Sequence, residues 1–154
     1  MKLVELVGFG KEERTHLSVF LLQETTGKKV LPVLVNPLES MAVISKFTHL
    51  NFNRPMTHDL IKSIADVLGI NTLRVEFYAM AKDGLRARIC CIASGKTFNV
   101  ECRPNDALAL AVRFEAPIYA EENLLTTISF QQESGESKWR GILENLKPED
   151  LKKA

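Results

Sequence analysis

Nothing in the 154-residue chain approaches the roughly 20 consecutive apolar residues that a transmembrane helix needs. Nor is there an excess of either charge: 20 Lys and Arg stand against 19 Asp and Glu, a net of +1. The sequence-wide positive field of a strong nucleic-acid or membrane binder is therefore missing, and only a local basic cleft remains as a route to such partners. Cysteine is scarce and odd in number (Cys90, Cys91, Cys102). That excludes a disulfide framework and reads as reduced thiols in a cytoplasmic protein. Adjacent residues on a strand point to opposite faces, so Cys90 and Cys91 do not readily share a metal; they read as small buried hydrophobes. The opening Met1-Lys2-Leu3-Val4-Glu5 sets an acid inside a short apolar run, unlike a signal peptide. The chain has no Walker loop, His-Glu-x-x-His, Gly-x-Ser-x-Gly or Cys-x-x-Cys.

What is present is the composition of a folded domain, 45% hydrophobic and 25% charged, which excludes a disordered or collagen-like chain. A chain of this length buries roughly 70% of its unfolded surface and needs no metal or disulfide to fold. Alternation and β-branched content predict strands at Leu3–Phe9, Leu17–Gln23 and Val30–Val35, with Pro32 marking the third as an edge strand or a strand start. Asn36-Pro37-Leu38-Glu39 supplies a cap, a proline at the first helical position and an acid facing the dipole, so a helix should run to Phe47. Thr57 is the expected cap of a second helix. There Leu60, Ile61, Ile64, Ala65 and Leu68 form one stripe, Asp59, Lys62, Ser63 and Asp66 lie opposite, and Gly69 marks the stop. Leu73–Met80 and Leu85–Ala93 read as strands of a hairpin turned at Lys82-Asp83-Gly84. Thr97–Cys102 is a further strand. The helix from Pro104 is apolar nearly all round and should be deeply buried. Pro117–Ala120 reads as a short strand, Gln131–Lys138 as a linker, Trp139–Leu146 as a short helix and Glu149–Ala154 as a frayed end.

Laid without gaps over Lys96–Phe114, the segment Lys29–Phe47 matches at Lys29/Lys96, Val33/Val100, Pro37/Pro104, Ala42/Ala109 and Phe47/Phe114, with Glu39 on Asp106 and Lys46 on Arg113. Each copy follows two strand-like runs. The reading is an α+β fold, with a mostly antiparallel or mixed sheet and a duplicated β-β-β-α unit around the Thr57 helix. Five identities are also within reach of two unrelated strand–helix units. The domain should span residues 1–130, leaving 131–154 as linker and tail.

Two helix starts carry groups suited to chemistry. Arg54-Pro55-Met56-Thr57-His58-Asp59 gathers a guanidinium, an imidazole and a carboxylate where free N–H groups attract anions. The structural alternative is that Thr57 caps, Asp59 complements the dipole and His58 is merely exposed. Arg103-Pro104-Asn105-Asp106 again pairs an arginine with an acid, and Asp106 reads as a base, a metal ligand or a dipole partner. Its repeat mate Glu39 lacks a basic neighbour, because Asn36 stands where Arg103 stands. Arg86 and Arg88 share a strand face that suits either a phosphate backbone or plain solvent.

Taken in order, Arg54-Pro55-Met56-Thr57-His58-Asp59-Leu60, Lys82-Asp83-Gly84, Arg103-Pro104-Asn105-Asp106-Ala107 and Ala116-Pro117-Ile118-Tyr119 resemble the bifunctional nuclease domain family. The likeness covers about Leu3 to Leu125. It departs at Val35-Asn36-Pro37, where the family has Ile-Gly, and at Asn105, which replaces a serine. The resemblance implies a cytoplasmic domain that cleaves RNA and DNA. Arg54 and Arg103 would then hold phosphate, and His58 would be the general acid or base. Asp59 and Asp106 would orient His58 or bind a divalent cation such as Mg²⁺. The alternative is a non-catalytic binding or regulatory module, with the same groups as caps and cross-links. A homo-oligomer and no membrane association are expected. For the nuclease reading, the two helix starts must converge within one pocket.

Overall fold

The computed structural model describes residues 1–12 and 14–127 together with the backbone of 152–153; the linker and short helix expected within 131–146 lie outside the described residues. The elements are β1 (Lys2–Lys11), β2 (Ser18–Glu24), β3 (Lys29–Val35), α1 (Pro37–Phe47), α2 (Thr57–Val67), β4 (Asn71–Ala81), β5 (Gly84–Ala93), β6 (Lys96–Cys102), α3 (Pro104–Phe114), β7 (Ile118–Ala120), β8 (Thr126–Thr127) and β9 (Lys152–Lys153). The fold is α+β, with one mixed sheet and three α-helices among the described residues. A 3-10 turn, Glu122–Leu124, leads into β8; neither feature was foreseen.

The sheet runs in the order β6-β5-β4-β7-β1-β2-β3-β8, with β9 pairing β3 in parallel. The two β-β-β triplets thus stand in mirrored order about β7. Because β7 is antiparallel to β1 and parallel to β4, the innermost strands of the triplets point in opposite directions. This order is one that two β-β-β-α units related by a pseudo-twofold axis would give. Both hairpins of the second triplet are tight. Ala81 pairs Gly84 around Lys82-Asp83, and Ala93 pairs Lys96 around Ser94-Gly95, whose φ values of 49° and 75° are those of a primed turn. Pro32 lies on β3 opposite Leu21. On the other side of β3, β8 meets Lys29 and Val30, and β9 meets Val33 and Leu34. The proline occupies the gap between these partners, as a residue without an N–H can.

One face of the sheet carries the core. Phe20, Leu22, Leu31, Val33, Val75, Phe77, Ala87 and Ile89 pack there with α1 and α3. α3 is the central helix: Ala107 through Ala111 are all buried, as are Pro104, Asn105 and Arg113. Its alanines let it lie close to both sheet and neighbouring helices. Cys91 joins this core while Cys90 does not, as opposite strand faces demand. All three cysteines are free thiols, and burial pushes Cys102 up to about 12.

Two local expectations change. α2 begins at Thr57 with Met56 as its cap residue, because the Asp59 carboxylate reaches back to the Met56 N–H at 2.8 Å. More consequentially, α2 is amphipathic as expected, but its stripe points away from the protein. Leu60, Ile61, Ile64 and Leu68 are all exposed, and Ala65 alone is buried. The polar face of α2 is the one that docks on α3, through ion pairs described below.

Candidate active site

The two helix starts converge. His58, in the first turn of α2, places its Nε2 3.0 Å from an Asp106 carboxylate oxygen in the first turn of α3. Arg103, just before α3, donates from Nε to the other Asp106 oxygen at 2.9 Å and from Nη1 to Glu39 of α1 at 2.7 Å. Three helices thus contribute to one chain of contacts, His58–Asp106–Arg103–Glu39. Exposure rises from His58 to Arg103: His58 keeps 14% of its side-chain surface, Asp106 26% and Arg103 64%. The hydrogen bond to Asp106 comes first among the influences that raise the Arg103 pKa, with Glu39 adding to it. A cleft of about 340 Å³ opens beside Arg103, bounded by Asp83, Gly84, Arg86 and Glu101. The Lys82-Asp83-Gly84 turn is therefore part of the same neighbourhood. Arg86 lies in the cleft wall, bonded to Asp83 at 2.9 Å and to Glu101 at 3.3 Å.

Asp59 goes elsewhere. One of its oxygens accepts from Arg113 Nε at 2.9 Å, with Lys46 at 3.5 Å, while the other takes the Met56 N–H. Burial alone would raise its pKa; the Met56 N–H and the Arg113 guanidinium outweigh that and hold it below the usual value. Arg113 is 1% exposed, and its Nη1 also donates to the carbonyls of Ala42 and Ala109 at 2.6 and 2.9 Å. This cluster clamps α2 and α1 onto α3. Arg54 joins neither group: it is exposed and forms no ion pair among the described residues. Arg88 is engaged with the buried Glu76 and sits over the Tyr78 ring.

Residues at equivalent positions of the repeat meet at shared partners. Glu39 and Asp106 both bind Arg103, Lys46 and Arg113 both bind Asp59, and the Ala42 and Ala109 carbonyls share one nitrogen of Arg113. No basic residue stands beside Glu39 in the sequence; Arg103, from the second β-β-β-α unit, serves both acids. Burial of Arg113, which has no local motif, was the feature missed, and the Lys46/Arg113 match was its one trace in the sequence.

The donor set does not suit a divalent cation. Both oxygens of Asp106 and both of Asp59 are committed to cationic or N–H partners, and among the described residues no group of three His, Cys, Asp or Glu side chains is arranged around a metal-sized space. No helix is long and apolar enough to cross a membrane among the described residues.

A mixed sheet with a histidine–carboxylate–arginine chain across three helix starts defines the class: an α+β domain whose polar cluster joins its two β-β-β-α units. The bifunctional nuclease domain pattern matches residues 20–133, and the chain belongs to that family. An uncharacterised protein of Mycobacterium tuberculosis is 28% identical over 97% of both chains. Bifunctional nuclease 1 of Arabidopsis thaliana is 23% identical over 71% of this chain and 34% of its own length. Bifunctional nuclease 2 of Oryza sativa subsp. japonica is 22% identical over 73% and 36%, so this chain spans about a third of the plant proteins.

Proposed function

We propose that the protein is a nuclease that hydrolyses phosphodiester bonds of RNA and DNA at the His58–Asp106–Arg103 cluster. The observation that carries this reading is the 3.0 Å contact between His58 Nε2 and Asp106. With Nε2 donating to the carboxylate, the Nδ1 lone pair is the free base of the ring. It takes a proton from the attacking water or hydroxyl, Asp106 stabilises the imidazolium that results, and water protonates the leaving oxygen. Arg103 exchanges Glu39 for a non-bridging phosphate oxygen and offsets charge that builds up in the transition state. The cleft past Arg86 carries the next stretch of backbone, and exposed Arg54 meets a phosphate on the other side. Asp59 is a positioning residue: it acts through Arg113 to hold the first turn of α2, and so His58, in place. No step passes through a metal ion. The family's name and the names of the plant relatives support the reaction class.

His58→Ala and Asp106→Asn should each lower cleavage of single-stranded RNA and DNA by about 10²–10⁴-fold, with Tm nearly unchanged. Equal activity in both variants and the parent would remove the proposal. One observation favours a second reading, a non-catalytic module. Asp106 has both oxygens occupied, so the cluster also works as a cross-link among three helices. In that case the parent cuts nothing, and both substitutions lower Tm.

A further inference from the structure

α2 is mounted with its polar side inward. His58 binds Asp106, Asp59 binds Arg113, and Lys62 Nζ sits 5.4 Å from the centre of the Phe114 ring. The opposite side offers Leu60 at 56% exposure, Ile61 at 41%, Ile64 at 50%, Val67 at 86% and Leu68 at 65%. Leu50 and Phe52, in the segment leading to α2, are each 53% exposed. An apolar helix face is a source of stability only when something covers it. Monomers rarely leave contiguous patches of more than a few hundred Å² open, and one side of a standard interface is about 800 Å². The five large apolar side chains of α2 at these exposures amount to several hundred Å², most of one such side.

We infer that this face is the interface between two copies of the chain, packed α2 against α2 in antiparallel fashion about a twofold axis through Ile64. The stripe is self-complementary in position. Reversal about residue 64 sets Leu60 against Leu68, Ile61 against Val67 and Ile64 against itself, so every large apolar residue of the stripe meets another. This is the pattern an isologous contact requires. A stripe without a charged residue matches the apolar character of permanent interfaces, and a second copy is the partner always present in equal amount. A lipid surface fits poorly, because membrane-bound helices carry Lys and Arg along the border of the apolar face. Here the only Lys or Arg of α2, Lys62, lies on the far side from the stripe, over the Phe114 ring and paired with Asp66 of its own helix. His58 points to the docked side of the helix, so pairing leaves both polar clusters uncovered. The inference stands independently of the nuclease reading.

The test is the solution mass of the full chain by light scattering, together with cross-linking. The parent should run at twice the chain mass, and Ile64→Asp at half of that with an unchanged circular dichroism spectrum. Ile64→Cys, at the axis, should form a disulfide-linked dimer on mild oxidation, whereas Met41→Cys on α1 should not. A monomeric parent would overturn the inference, whether or not it co-sediments with phosphatidylserine vesicles. So would a dimer that survives Ile64→Asp while Ile64→Cys fails to cross-link.

Discussion

Two arginines ten positions apart bracket α3 and do opposite work. Arg113 is enclosed, bonded to two backbone carbonyls and one carboxylate, and has no room to change partners. Arg103 lies at the surface between two carboxylates and keeps 64% of its side chain in solvent. A guanidinium sealed from water is costly to strand, so its bonds behave as structure. An exposed one holds its partners weakly, at about 0–1 kcal/mol per pair, and can trade a carboxylate for a phosphate. Burial, more than residue type, separates the clamp from the candidate ligand site.

The comparison breaks most severely at the enclosed end. Arg113→Ala leaves Asp59 and two carbonyls without their donor and should cost about 3–5 kcal/mol, read as a large drop in Tm with activity lost alongside. Arg103→Ala should leave stability within about 1 kcal/mol yet lower cleavage about a hundredfold. If the two variants lost stability equally, the distinction would be gone. Acid should sharpen it further. The carboxyls of Asp59 and Glu76 are both held below their ordinary values against burial, by Met56 N–H and Arg113 in one case and by Arg74 and Arg88 in the other. The folded state therefore binds fewer protons there than the unfolded chain. The stability these groups contribute is complete above the ordinary carboxylate range, near pH 4, and disappears as pH falls through their lowered values. Denaturant titrations from pH 6 to 2 should show this, with Asp59→Asn giving a shallower slope. The smallest effect is expected at Glu39→Gln. Releasing Arg103 from one acid should tighten oligonucleotide binding a few-fold, measured by fluorescence anisotropy, without moving Tm appreciably.

Much of the fold was legible because its signals are local. Pro37 and Pro104 open their helices, Lys82-Asp83-Gly84 marks the hairpin turn, and alternation marks the strands. The offset of 67 residues went further, since it anticipated a sheet built from two triplets. The site was legible only in part. His58, Arg103 and Asp106 were singled out by residue type, but their contacts, such as Glu39 with Arg103, span up to 64 positions, and no short-range pattern encodes such a pairing. The direction of the α2 stripe was illegible for another reason. Hydrophobic periodicity says which face is apolar, not whether this chain or another covers it.

Pro32 also bears on how the molecule meets copies of itself along its sheet. On the β3 side, added strands would find only the short stretches at Lys29–Val30 and Val33–Leu34, parted by the proline and each already paired. Across the sheet, among the described residues, β6 bonds only to β5 and has seven residues in a row along its other side, with Lys96 and Glu101 among them. Among the described residues, fibre-like growth by backbone recruitment finds its longest row of strand there.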